Sequence, residues 1–194
     1  MIAQALAVLA TVASTLPTPT LKNLQRAQEA DASAQARYAA FAGQAEREGY
    51  LAVATLFRAA ARSESVRARN HAAALRKHGV EPGAGAAPAA VGTTRENLLR
   101  TLAHENAERA GAYPRFARQA RQDGDAEAML SFVLAHAAER QLLVLYRDAL
   151  ARLERMRAQG EALYVCETCG HIARGHPPEQ CPVSLSGADA FVRV

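Results

Sequence analysis

A chain of 194 residues has room for one ordinary hydrophobic core and a small appendage, which excludes two full-sized domains. A net charge of +4 is too dilute for a nucleic-acid footprint. Three cysteines, an odd number gathered near the C-terminal end, exclude a disulfide framework and point to a reducing cytoplasm. Aromatic residues make up only 5% and Trp is absent, so a core must be built from Ala, Leu, Val and a few Phe and Tyr, a composition that favours helices.

Residues 1–16 are apolar, and no charge occurs before Lys22. The run is too short to span a membrane comfortably and lacks the basic start of a secretion signal, so residues 1–19 are expected to form a helical extension rather than a cleaved or anchoring segment. No membrane span is expected. From Leu24 onward Ala27, Ala34, Tyr38, Phe41 and Ala45 recur at helical spacing, with Asp31 in the middle of the stripe. Gly49 breaks the pattern. A second helix turns Val53, Phe57 and Ala60 inward, and Glu64, Arg67 and His71 continue the same line. Residues 79–93, rich in Gly and Pro, are long enough to cross a bundle, and Thr93-Thr-Arg-Glu96 reads as a capping-box start. The third helix carries Leu98, Leu102, Ala112 and Phe116, with Glu105 on the stripe and Glu108 on the same face, and ends at Asp123-Gly124. The fourth carries Met129, Phe132, Tyr146 and Leu150 with Glu139 and Leu142 between them, and is expected to run to about Arg157.

The two halves repeat. Asn23-Leu24 returns as Asn97-Leu98 and Asp31 as Glu105, both at an offset of 74; Phe41, Gly49, Phe57 and Glu64 return as Phe116, Gly124, Phe132 and Glu139 at 75. A duplicated helical hairpin joined by one long crossover predicts a four-helix bundle, residues 20–158, in which the paired acids converge at mid-height. Five inward carboxylates cannot all stay ionised in a dry core without cations, since two unit charges 4 Å apart repel by about 4 kcal/mol at an effective dielectric near 20. A pair of divalent metals supplies that counter-charge in bundles of this kind.

The segment 159–194 has its own chemistry. Cys166-Glu-Thr-Cys169 followed by Gly170 makes a knuckle that aims two thiolates at one ion, and Cys181-Pro-Val-Ser184 repeats the frame with Ser in the fourth place. Three thiolates on one small knuckle favour a tetrahedral Fe or Zn. The fourth position falls to Ser184 as a weak ligand, or to His171 or His176; a structural zinc clip and a metal-free knuckle remain alternatives.

Asn23-Leu24, Arg37-Tyr38, Glu48-Gly49-Tyr50, Glu96-Asn97-Leu98, Tyr113-Pro-Arg-Phe-Ala117 and the stretch from Tyr164 to Phe191 together resemble rubrerythrin. The resemblance implies an all-α, ferritin-like four-helix bundle with one long crossover, followed by a rubredoxin-like metal knuckle domain. It implies reduction of hydrogen peroxide at a di-iron centre, with electrons entering through the knuckle iron, often across a homodimer. The electron donor protein is not implied. Carried over position by position, Asp31, Glu64, Glu105, Glu108 and Glu139 fall on the family's di-metal carboxylates, and Cys166, Cys169 and Cys181 on three of its four knuckle thiolates.

The chain departs from the family pattern where the chemistry lies. The two Glu-x-x-His motifs read Glu64-Ser-Val-Arg67 and Glu139-Arg-Gln-Leu142, so both imidazoles are gone. An all-carboxylate site tilts toward Mn, Mg or Ca. His136, three residues before Glu139, is a substitute candidate; His71, about 10 Å beyond Glu64 along its helix, is a poor one. Two functions follow: a peroxide-reducing non-haem iron protein, impaired by the lost ligands, or an inactive ferritin-like metal-binding, regulatory or interaction module with Arg67 as counter-charge.

Overall fold

A computed structural model of the chain describes residues 18–86, 90–104, 110–158 and 160–194. The expected extension lies almost wholly outside the described residues, as do Glu105 and Glu108. Five described helices, α1 (Pro19–Arg47), α2 (Leu51–Lys77), α3 (Thr94–His104), α4 (Ala110–Gln122) and α5 (Ala126–Ala151), build a ferritin-like bundle, the third predicted helix being described in two pieces, α3 and α4. Strands β1 (Leu163–Cys166), β2 (Ile172–Arg174) and β3 (Phe191–Arg193) form an antiparallel sheet in the order β2-β1-β3.

The element ends follow local chemistry. Thr18 caps α1 by accepting from the Leu21 amide at 3.2 Å, with Pro19 in the first turn. The capping box at α3 forms as spaced: the Thr93 amide donates to Glu96 at 2.8 Å, and the Glu96 amide to the Thr93 hydroxyl at 3.3 Å. Gly49 and Gly124, equivalent in the repeat, both turn the chain at positive φ, +77° and +75°. One boundary differs from expectation: α5 ends at Ala151, and Leu153–Arg157 tightens into a 3-10 turn. That turn brings Arg157 onto the Tyr50 ring, 4.1 Å from its centroid, and lets it donate to the Glu48 carbonyl and the Tyr50 hydroxyl.

The bundle is layered along its length. Tyr38, Phe41, Phe57 and Tyr146 interlock at one level, with ring centroids 5.5–6.3 Å apart. Leu24, Ala27, Tyr113 and Phe132 form a second apolar level. Between them sit Asp31, Glu64, Arg67, His71 and Glu139, all buried. Helix α5, Ala126–Ala151, is the one described helix long and apolar enough to cross a membrane by length and composition; here it packs into the bundle through Phe132, Leu142 and Tyr146.

Candidate metal centres

The polar layer of the bundle is assembled by antiparallel pairing of α1 with α2. Asp31 and Arg67 stand equally far from the Gly49 turn, 18 residues on either side, so the hairpin places them opposite each other. The Arg67 guanidinium, 1% exposed, pairs through Nη2 with Glu64 Oε2 and lies with Nε 3.6 Å from Asp31 Oδ2. Among the described residues these contacts are ionic rather than directional hydrogen bonds. Burial opposes the charge on Arg67, but Glu64 and Asp31 outweigh burial and hold the guanidinium well above its ordinary range. It is a permanent cation in the middle of the bundle.

Two further residues join this layer that the sequence did not single out as site members. Tyr113 donates its hydroxyl to both Asp31 oxygens, at 3.0 and 3.1 Å. His71, a poor partner for Glu64 along its own helix, instead faces Asp31 across the hairpin, with Nε2 3.6 Å from Oδ2. Its Nδ1 is hydrogen-bonded to the Ser131 hydroxyl at 3.0 Å, which fixes the ring with Nε2 toward the carboxylate. The hairpin register, which sets Asp31 opposite Arg67 one turn from His71, was the signal that could have found His71.

The remaining candidates divide. Glu139 is buried on α5. Leu142, where the resemblance places an imidazole, is 3% exposed and packs in the apolar core with Phe57 and Tyr146. His136 is half-buried, and burial followed by Arg140 pushes its imidazole below the usual range. A metal pair therefore does not fit the described part of this centre. One ligand position holds a guanidinium in contact with Glu64 and the other holds a hydrocarbon. A divalent ion 4 Å from the guanidinium is repelled by about 8 kcal/mol at an effective dielectric near 20.

The cysteine knuckle gives the opposite result. Cys166, Cys169 and Cys181 are buried with no disulfide, and their sulfurs lie within 4.8 Å of one another, the one such group of ligand atoms among the described residues. Cys169 Sγ stands 3.6 Å from Cys181 Sγ, and Cys166 Sγ 3.5 Å from Ser184 Oγ. Metal–sulfur bonds of about 2.3 Å in a tetrahedron require edges of about 3.7 Å. His171 packs edge-on against Phe191 and His176 faces the Pro177 carbonyl, which leaves the fourth corner to Ser184.

Two turns build this pocket. The Gly170 amide donates to the Cys166 carbonyl at 2.8 Å, and the Leu185 amide to the Cys181 carbonyl at 3.0 Å. Gly170 has φ +83°; Leu185, in the matching place, holds φ +63° with a branched side chain 68% exposed. Leu185→Gly is expected to stabilise the fold by about 1 kcal/mol, read as a raised urea midpoint.

Burial, with the neighbouring thiols adding to it, pushes the Cys169 thiol up to about 12 despite hydrogen bonds that oppose it. Burial also acts to raise Cys181, but hydrogen bonds led by Ser184 bring it below its ordinary value. A cluster in which one thiol keeps its proton that firmly ionises fully only around a cation.

The knuckle is seated on the bundle beside the polar layer. Ser63, preceding Glu64, donates to the Gly170 carbonyl at 2.7 Å, and Asn70 donates to the Thr168 carbonyl at 2.9 Å. Arg62 and Arg69 hold Glu167 at 2.7 and 2.9 Å. From α5, Gln141 brackets Ile172, accepting from its amide at 2.9 Å and donating to its carbonyl.

The family model for rubrerythrin matches residues 22–150. Nigerythrin of Nitratidesulfovibrio vulgaris is 32% identical over 178 residues, covering 89% of this chain and 85% of the relative. Rubrerythrin-1 of Clostridium acetobutylicum is 28% identical over 176 residues, covering 87% and 90%. The solved structure of nigerythrin in its fully reduced, all-ferrous state superposes with a TM-score of 0.81 at 29% identity, over 96% of this chain and 91% of that one. A bundle built from a repeated hairpin, a three-thiol knuckle seated on it, and matches over most of the length make one assignment: the chain belongs to the rubrerythrin family.

Proposed function

We propose that this chain is a non-haem iron protein of the rubrerythrin type whose iron is held by the knuckle thiols of Cys166, Cys169 and Cys181, with Ser184 at the fourth corner, and whose bundle serves as the platform for that knuckle. The observation that carries the reading is the convergence of three buried sulfurs within 4.8 Å of one another, with the Ser184 hydroxyl 3.5 Å from one of them. Iron held there supplies one-electron oxidation and reduction. The protein's own part is to bury the thiols, to hold the 167–172 turn through Ser63, Asn70 and Gln141, and to fix Glu167 between Arg62 and Arg69. Free cysteines support a reducing, cytoplasmic setting.

Anaerobic loading with Fe(II) and desalting is expected to leave about one iron per chain with thiolate charge-transfer absorption, by the ligand set of the knuckle. Iron-free protein, or iron without thiolate absorption, would overturn this. The second reading, reduction of hydrogen peroxide at a metal pair on Asp31, Glu64, Glu105, Glu108 and Glu139, draws support from family membership and from the inward placement of Asp31, Glu64 and Glu139. It requires about three irons per chain and peroxide turnover above that of free iron.

A homodimer is proposed through α5, where Leu130, Val133 and Val144 are 49–57% exposed and share one face of the helix. Sedimentation of the wild type is expected to give a dimer, and Leu130→Glu with Val133→Glu a monomer; a monomeric wild type removes the proposal.

A further inference from the structure

The centre of the bundle is polar, buried and holds a cation of its own. Arg67 contributes no hydrogen bond that specifies shape among the described residues, yet its guanidinium is fully enclosed and lies against two carboxylates on two helices. A long side chain with a fixed charge is retained in such a place when removing it would leave acids uncompensated. His71, one turn on from Arg67 in α2, faces the same Asp31 oxygen with Nε2 3.6 Å from Oδ2, while its Nδ1 lies against Ser131. Leu142, the other position where the resemblance places an imidazole, is buried hydrocarbon.

We propose that Arg67 is a cation built into the bundle, standing in for a bound metal between Asp31 and Glu64. This rests on contacts in the bundle and is independent of whether the knuckle holds iron. The chain then needs no metal to assemble its bundle, and its centre is closed to the ions that its relatives' scaffold accommodates. Mn(II) is the fitting probe, because the donors that face Arg67 are carboxylates.

The test uses the full-length protein and Mn(II), which thiolate knuckles bind weakly. Wild type is expected to melt within about 1 °C of the same temperature with and without 1 mM Mn(II), since a ligand stabilises only what it binds. Arg67→Ala is expected to melt about 10 °C lower without metal and to recover by several degrees with Mn(II). Arg67→Lys, which keeps the charge without the fork, is expected to melt between wild type and Arg67→Ala. A wild type that is stabilised by Mn(II) or carries two metals besides any thiolate-bound one overturns the proposal, as does an Arg67→Ala protein as stable as wild type without metal. Should Arg67→Ala fail to fold, folding of the Lys variant upholds the charge role, and its equal failure overturns it. Absence of iron from the knuckle defeats only the function proposed above.

Discussion

Gly170→Ala lowers stability by about 2–4 kcal/mol, because two separate penalties meet at one residue. The first is the backbone: φ is +83°, and an alanine there costs about 1 kcal/mol. The second is contact with the bundle. A Cβ on Gly170 would stand 2.8 Å from the Ser63 hydroxyl oxygen and 2.9 Å from the Ser63 carbonyl oxygen. Neither atom yields cheaply, since Ser63 is fully buried within a helix and its hydroxyl is already committed to Gly170. The knuckle must therefore lift off α2, weakening the hold on Thr168 and Glu167 as well. Gly79→Ala is the control. Its φ is +70° and nothing lies within 4 Å of its Cβ, so it carries the backbone penalty alone, about 1 kcal/mol. Urea melts of the two variants measure the difference. A Gly170→Ala midpoint no lower than that of Gly79→Ala would mean that the knuckle is not seated on its own bundle.

Much of this architecture was legible because it is written in spacing. The stripe Ala27, Ala34, Tyr38, Phe41, Ala45 is buried throughout, and Val53, Phe57 and Ala60 lead into Glu64, Arg67 and His71 on one inward line. Gly49 and Gly124 mark equivalent turns because both need a left-handed backbone. The end of α5 was not legible, since what stops it is a distant partner, the Tyr50 ring and the Glu48 carbonyl gripped by Arg157. The partnership of His71 with Asp31 escaped a reading made along one helix, because its distance is set between two. The choice among Ser184, His171 and His176 likewise depended on which side chain the sheet turns toward the sulfurs.

Ser184→Cys is expected to tighten zinc binding by about 100-fold or more, and Cys181→Ser to weaken it by a comparable factor. A four-ligand structural zinc site gains roughly 10–16 kcal/mol in total, so one thiolate accounts for several kcal/mol of that. The geometry asks for little rearrangement. Ser184 Oγ is already 3.5 Å from Cys166 Sγ, close to the tetrahedral edge, and a thiol in its place needs to move only by the difference between a metal–oxygen and a metal–sulfur bond. What is lost is the hydrogen bond from Ser184 to the Ser186 hydroxyl at 3.1 Å, worth about 1 kcal/mol and partly exposed. The gain outweighs it several-fold. Ser186→Ala removes that same bond without adding a ligand, and is expected to change affinity by less than about tenfold. Competition with a chromophoric chelator at fixed pH ranks all four proteins. Equal affinities for wild type and Ser184→Cys would place the fourth ligand elsewhere than residue 184. The ordering expected from the geometry is Ser184→Cys tightest, wild type and Ser186→Ala close together, and Cys181→Ser weakest, because only the first and last change the number of sulfurs that face the ion.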